Sequence, residues 1–471
     1  MIGWIVLIAH VLGLLTSIRA VMEVRTAQGA IGWVVALNGF PYASVPAYWI
    51  FGRRKFQGYI TSRRVELART DPTARQFFTN LVNRNLLVEP ERDRALLIEK
   101  LAKLPFTTGN DVELLINGEA TFQSIFTGIE QAKEYVLVEF YILRDDQAGR
   151  DLQKRLIAKA REGLRVFLIY DEMGSGDLPR SYLEELRTAG VKAFPFNTTQ
   201  GKANRWQLNF RNHRKIVVTD GKAAWVGGHN VGDEYLGRNP KVGVWRDTHV
   251  KITGPAVHSV QMAFFEDWHW ASGEMPALSW DPQPAASGRR RAVLCLPSGP
   301  SDPLETCTLF FLHAINHATN RLWIASPYFV PDEQFISALQ LAALRGVDVR
   351  VLVPNKTDNA MVNLSGWSYV PELEKAGIKV YRHAKGFMHQ KVMLIDDQYC
   401  TIGTVNFDNR SFRLNFEITI AVADVEFAAQ VRKMLEQDFA DSREVHTRDY
   451  EDSGFWHRFS VRAARLMAPI Q

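Results

Sequence analysis

Hydrophobic and polar positions change rhythm several times along this chain. Ile2 to Ile18 carries no formal charge, and His10 is its only titratable group. Ala30 to Phe51 is a second uncharged run, and it contains Pro41 and Pro46. A helix that crosses a bilayer needs about 20 apolar residues, within a range of about 17–25. The second run clears that length; the first does so if it extends past Arg19. The first run lacks the basic start and small-residue cleavage site of a signal peptide, and another apolar run follows it. The pattern predicts a two-helix membrane hairpin over 1–55, its second arm bent by the prolines.

A different period begins after the hairpin. Phe77, Phe78, Leu81, Leu86 and Leu87 recur at roughly helical intervals, so 56–109 reads as a helical connector. From Asn110 onward, short apolar runs alternate with helical patterns, which argues for α/β layers. Val112–Ile116, Tyr135–Ile142 and Val166–Tyr170 read as strands, with a turn at Asn117-Gly118 and a helix from there to about Lys133.

A proline-rich stretch, 272–291, then interrupts the alternation, and after it the grammar repeats. Gly163-Leu164-Arg165-Val166 corresponds to Gly346-Val347-Asp348-Val349. The segment from Glu185 to Lys192 corresponds to that from Glu372 to Lys379. His213-Arg214-Lys215-Ile216-Val217-Val218-Thr219-Asp220 corresponds to His389-Gln390-Lys391-Val392-Met393-Leu394-Ile395-Asp396. Three matched blocks in one order predict two similar lobes, 110–271 and 292–445, packed around one site. Residues 446–471 mix Phe455, Trp456 and Phe459 with Arg458, Arg462 and Arg465. That amphipathic basic segment suits the surface of an anionic bilayer.

Composition narrows the picture. The chain has 471 residues, 46% hydrophobic and 23% charged, so a large folded core is available. The net charge of +5 suits an anionic partner. Cys295, Cys307 and Cys400 lack metal-cage or framework spacing, and free thiols suit a reducing compartment. Arg53, Arg54, Lys55, Arg63 and Arg64 follow the second apolar run, whereas the connection between runs has Arg19 and Arg25 opposed by Glu23. The positive-inside rule then puts the main body in the cytoplasm, on a multi-pass membrane anchor.

The repeated blocks carry the candidate chemistry. Side chains two apart on a strand point the same way, so His213 shares a face with Lys215, and His389 with Lys391. Asp220 and Asp396 close the two motifs and belong to the catalytic set as motif members, although an Asp ahead of Gly221 or Asp397 also suits a turn. Asn230 lies as far after His213 as Asn406 lies after His389, and Gly227-Gly228 matches Gly403-Thr404. An Asn amide and the backbone of small residues can donate to an anionic oxygen. Each imidazole needs an acceptor for its second nitrogen. Chain order suggests Asp247 for His213 and Glu417 for His389. Two His, two Lys and two Asn suit a phosphodiester. One His attacks phosphorus, the other moves the proton, and the cations balance the oxygens. No cluster of carboxylates calls for a metal, and no cofactor is expected.

The paired His-x-Lys-x4-Asp motifs are followed by Gly-Gly-x-Asn and by Gly-Thr-x-Asn-x-Asp-x-Arg-Ser. They resemble the phospholipase D superfamily and, within it, bacterial cardiolipin synthases. Supporting stretches are Val112-Glu113-Leu114-Leu115, Arg211-Asn212-His213-Arg214-Lys215, Trp245-Arg246-Asp247-Thr248-His249 and Ser326-Pro327-Tyr328-Phe329-Val330-Pro331. The resemblance implies ping-pong transfer of a phosphatidyl group from one phosphatidylglycerol to another, giving cardiolipin and glycerol. It implies His213 as nucleophile and His389 as acid and base. The residues alone do not break that symmetry, and some relatives take phosphatidylethanolamine as donor. The expected partners are phosphatidylglycerol, cardiolipin and the bilayer; self-association into a homo-oligomer is left open. A hydrolase with water as acceptor is the nearest rival. A nuclease fits poorly with a membrane anchor, so no nucleic acid is expected. An inert lipid-binding scaffold would be expected to lose a motif His or Lys, and none is lost.

Overall fold

The structure is a computed structural model that describes residues 2–52, 72–88, 94–196, 209–240 and 242–468. The apolar runs after each motif lysine form strands buried along their whole length, Ile216–Thr219 and Val392–Ile395. In the first lobe, parallel strands Tyr135–Phe140, Arg165–Asp171 and Lys192–Phe196 lie on one side of the motif strand. Antiparallel strands Ala223–Gly227, Thr248–Thr253 and Thr107–Ile116 lie on the other.

The second lobe repeats the plan. Arg321–Ala325, Asp348–Pro354 and Lys379–His383 are parallel, with Ser442–Val445 added at their edge. Tyr399–Gly403, Asn415–Ala423 and Arg291–Ser298 lie on the other side. Thr107–Ile116 pairs with Arg291–Ser298, which fuses both lobes into one sixteen-stranded sheet. The expected α/β duplication is therefore present.

Backbone conformation repeats with the sequence. Gly163 and Gly346, each ahead of a parallel strand, have φ of +90° and +91°. Asp220 and Asp396 have φ of +54° and +53°. A non-glycine residue adopts this left-handed conformation mainly in turns, where Asp and Asn tolerate it best. Both motif aspartates therefore sit at the same tight reversal.

The N-terminal expectation needs correction. The first run forms one unbroken helix, Ile2–Glu23, of 22 residues, about 33 Å long. Its segment Gly3–Glu23 has a mean hydropathy of 2.1 and is long and apolar enough to cross a membrane. The second run makes no second long helix. Ala27–Gly39 stops at Phe40, and Pro41–Ala47 follows, ending in the π-helical turn Tyr48–Gly52. Pro41 lacks an N–H, and its ring disfavours helical backbone at the preceding residue; Phe40 is accordingly at φ −143°, ψ 62°.

Beyond that break the chain doubles back. Pro41 packs beside Gly13, and the Tyr42 ring lies 5.9 Å from His10. Tyr48 then meets Trp33 at 5.2 Å, and the Arg19 guanidinium lies 5.0 Å from the centre of the Trp49 ring. Arg25, in the connection, pairs with Glu305 at 2.9 Å and Asp332 at 3.6 Å. The connection therefore rests against the body instead of lying away from it. The basic positions 53–55, 63 and 64 lie outside the described residues.

The C-terminal helix Phe455–Arg465 is two-sided. Val461 and Ala464 are buried, where the helix packs on Ala360–Trp367. Phe455, Trp456 and Phe459 are exposed, with Trp456 set edge-on to both phenylalanine rings.

Candidate active site

Two short parallel pairings bring the motifs together, and both cross between lobes. Arg211–Asn212 pairs with Asn415–Phe416, and Trp245–Arg246 pairs with Phe387–Met388. The His213 N–H donates to the Phe416 carbonyl at 2.9 Å, and the His389 N–H donates to the Arg246 carbonyl at 2.8 Å. Each motif histidine thus stands beside a strand of the opposite lobe.

That crossing overturns the pairing suggested by chain order. His213 Nδ1 meets Glu417 Oε2 at 2.9 Å, and His389 Nδ1 meets Asp247 Oδ2 at 2.8 Å. Asp247 and Glu417 do hold the imidazoles, but each serves the histidine of the other half. Strand exchange has no signature in local sequence, so chain order misassigns the partners.

Further donors fix each carboxylate. Glu417 accepts from the Thr404 hydroxyl at 2.5 Å and from the Asn415 amide at 3.1 Å. Asp247 accepts from the Thr248 N–H at 2.8 Å and from the Trp245 indole at 3.4 Å. Thr404 was expected to offer its backbone to an anion, as was Gly228. Instead the Thr404 N–H is spent on Ile418 O and the Gly228 N–H on Thr248 O. Gly228 is small for another reason: a Cβ there would lie 2.0 Å from Asp247 Oδ1.

With Nδ1 engaged, Nε2 is the ring nitrogen left for chemistry. His213, His389, Asn230 and Asn406 all line one cavity of about 920 Å³. Asn230 Oδ1 accepts from the Ile142 N–H at 3.1 Å, which fixes the amide; its Nδ2 donates to the Tyr235 hydroxyl at 3.3 Å. Tyr235 escaped the sequence reading, because nothing local marks it. Lys215 and Lys391 are buried, donate to the carbonyls of His213 and His389, and stop short of the cavity lining.

Asp220 and Asp396 stand apart from this group. Asp220 accepts from the N–H groups of Lys133, Glu134 and Tyr135. Asp396 accepts from those of Thr319, Asn320 and Arg321 and from the Thr319 hydroxyl. Each clamps the start of a parallel strand, and neither lines the cavity. Their inclusion among catalytic groups is corrected accordingly.

Burial dominates the electrostatics. It pushes His213 down to about 4, against the pull of Glu417, and His389 down to about 4, with Lys391 adding to the effect and Asp247 opposing it. Both imidazoles are therefore neutral near pH 7. Burial also pushes Lys215 down to about 7 and Lys391 to about 8, against the carboxylates of Glu417 and Asp247. Burial works against the Glu417 and Asp247 carboxylates too, but their histidine and lysine neighbours outweigh it and hold both below the usual range. Near pH 7 each half-site therefore pairs a neutral imidazole with an ionised carboxylate and a buried lysine, and an incoming anion favours the charged forms of lysine and imidazole.

Comparison with known proteins agrees with this geometry. The family described as "Cardiolipin synthase, PLD-like domain" matches twice, over residues 125–268 and 311–439. The chain belongs to that family. It is 47% identical over 476 residues to cardiolipin synthase A of Pseudomonas putida (strain GB-1), covering 99% of this chain and 98% of the relative. It is 47% identical over 477 residues to cardiolipin synthase A of Pseudomonas entomophila (strain L48), with the same coverage. Among solved structures, phosphatidylserine synthase of Haemophilus influenzae Rd KW20 aligns with a TM-score of 0.61 at 16% identity. That alignment covers 80% of this chain and 100% of the other, and it speaks to the fold alone.

Proposed function

We infer that this chain is a phosphatidyltransferase that makes cardiolipin from two molecules of phosphatidylglycerol. One observation carries the reading. Two imidazoles, each tied through Nδ1 to a carboxylate, line one cavity, and a buried lysine is bonded to the backbone carbonyl of each. His213 Nε2 attacks phosphorus and the bond from phosphorus to the glycerol oxygen breaks; His389, whose Nε2 takes up a proton when the anionic donor enters the site, gives that proton to the leaving oxygen. A hydroxyl of the second phosphatidylglycerol then gives its proton to His389 Nε2 while its oxygen bonds to phosphorus. The phosphorus–nitrogen bond breaks, and its electron pair returns to His213. Lys215, Lys391 and the amides of Asn230 and Asn406 stabilise charge on the remaining oxygens. Family resemblance supports His213, in the first motif, as the nucleophile.

Purified protein given phosphatidylglycerol, with products followed by mass spectrometry, tests this. Cardiolipin and glycerol are expected in equal amounts. Phosphatidic acid without cardiolipin would replace the synthase with a hydrolase. The steps above use only protein groups, so washing with chelator should leave the rate unchanged.

The protein is membrane-associated, and we propose that it crosses the bilayer once, through Ile2–Glu23. Residues 27–52 enter from the body side and return to it. The contacts of Pro41 with Gly13 and of Trp49 with Arg19 support this, as does the pairing of Arg25 with the body. Arg19 and Arg25 then share a side with the body, and the positive-inside rule makes that side cytoplasmic. The exposed aromatic face of Phe455–Arg465 suits the same membrane surface. Single cysteines at Gln28 and Phe51 should react with an impermeant thiol reagent from the same face. Labelling from opposite faces would restore a two-span hairpin.

A further inference from the structure

The cavity is larger than one phosphate needs, and the two half-sites account for only part of its wall. Tyr141 lies edge-on to the His213 ring, with centroids 5.1 Å apart. Beyond it on the same wall stand Arg211 and Arg410, both lining the cavity. The Arg410 guanidinium donates to the side-chain oxygen of Asn209 at 3.0 Å and to the Asn209 carbonyl at 2.6 Å, both neutral acceptors. Among the described residues it forms no ion pair. Burial and the nearby Arg211 both push its pKa down.

Two carboxylates are close enough to be felt, but both are engaged elsewhere. Asp171 accepts from the N–H groups of Met173, Gly174 and Asn212. Asp408 caps the N–H of Ser411, and burial pushes it up to about 6. Arg410 thus stands in a half-buried stretch of the cavity wall with neutral acceptors only, and an anion within its reach would favour its charged form.

We propose that Arg211 and Arg410 form a second phosphodiester subsite, which holds the phosphate of the acceptor lipid while the first phosphate is on His213. This rests on the transferase reading above. An acceptor that is itself a phospholipid brings its own anion into the cavity. The product carries two phosphates joined by a three-carbon bridge. The catalytic lysines and amides serve the reacting phosphorus, so the second phosphate needs separate cations a few bonds away.

The test is a competition between acceptors of different charge. Full-length enzyme in phosphatidylglycerol micelles is given a fixed concentration of ethanol, a neutral alcohol with no phosphate. The ratio of cardiolipin to phosphatidylethanol is then measured. Because both products come from one intermediate, the ratio does not depend on how much enzyme is folded. Arg410→Gln should lower the ratio by about tenfold or more, the scale of one charge-assisted hydrogen bond. Arg211→Gln should lower it in the same direction, and Arg410→Lys should recover most of the loss. A ratio unchanged in both glutamine variants would overturn the subsite. So would a parallel fall of both products, which would give the arginines a role in folding or in the first step. If the wild type yields phosphatidylethanol but no cardiolipin, the transferase reading fails and the subsite fails with it.

Discussion

The two half-sites stand on equivalent strands, yet they hold their imidazoles differently. His213 leans on a glutamate, and the longer side chain leaves room for Thr404 beside it as a hydroxyl donor. His389 leans on an aspartate, and the position equivalent to Thr404 is Gly228, where any Cβ would strike the carboxylate. Reach and bulk are exchanged between carboxylate and neighbour, and the distance from Nδ1 to oxygen comes out nearly the same. The duplication therefore conserves the position of the imidazole, while each half arrives at it with its own parts. Their separate chemical roles are open to test one half at a time.

The largest effects should come from the histidines. His213→Ala and His389→Ala should each lower cardiolipin formation by about 10⁴-fold or more. They should separate on a phosphatidyl ester of nitrophenol, whose leaving group needs no proton. His389→Ala should still form the phosphatidyl-enzyme from that donor, and His213→Ala should not. An adduct on His389 in the His213→Ala protein would invert the two roles.

The crossed carboxylates come next. Glu417→Gln and Asp247→Asn should each cost about 10³-fold, since a misoriented imidazole with the wrong tautomer is nearly as poor as none. Their rescue should be crossed as well. Asp247→Asn should be relieved by the nitrophenyl donor, because it disables the acid, whereas Glu417→Gln should not. Rescue in the reverse sense would return each carboxylate to the histidine of its own lobe.

Smaller changes probe the neighbours. Gly228→Ala should displace Asp247 and cost about 10²-fold, the usual consequence of moving a catalytic group by about an ångström. Thr404→Val keeps the shape and removes one hydrogen bond, so about tenfold is expected.

The lysines add a pH test. A lysine whose pKa is lowered gives up its proton as the pH rises through that value. The free enzyme should therefore lose kcat/KM above about pH 7, where Lys215 titrates, by about tenfold per unit. The acid limb should fall near pH 4, where the nucleophile His213 takes up a proton. A bound phosphodiester favours both ammonium groups, so the alkaline limb of kcat should lie higher. Identical limbs in kcat and kcat/KM would mean that the lysines do not face the phosphate.

Much of this was legible in the sequence, and the failures have particular causes. The lobes, the motif strands and the shared face of His and Lys followed from repetition and the two-residue period of a strand. The partners of His213 and His389 did not, because they depend on strands exchanged between lobes, and local sequence carries no record of which chain segment pairs with which. The second apolar run was long enough on composition to span a bilayer, but one proline after Phe40 divides it. Hydropathy counts apolar residues; it does not register that Pro41 cannot continue a helix already under way. Asp220 and Asp396 were ambiguous for the opposite reason. A conspicuous motif position invited a catalytic role, while the turn that follows each aspartate pointed to the clamp seen here.

Those two aspartates give the smallest effect on chemistry and the last comparison between the halves. Asn tolerates the left-handed backbone at both positions, so Asp→Asn isolates the loss of charge and of one acceptor. At Asp220 both oxygens face backbone N–H groups, and an amide nitrogen would meet a donor whichever way it turned. At Asp396 the second oxygen also faces the Thr319 hydroxyl, which can turn and accept. Asp220 is buried as well, so the unmatched donors there have no water to fall back on. Asp220→Asn should therefore destabilise the fold by about 2 kcal/mol and Asp396→Asn by about half that. Activity per folded molecule should stay within about twofold of the wild type in both. Thermal unfolding alongside active-site titration separates the two quantities. A large fall in activity per titrated site for either variant would return that aspartate to the catalytic set.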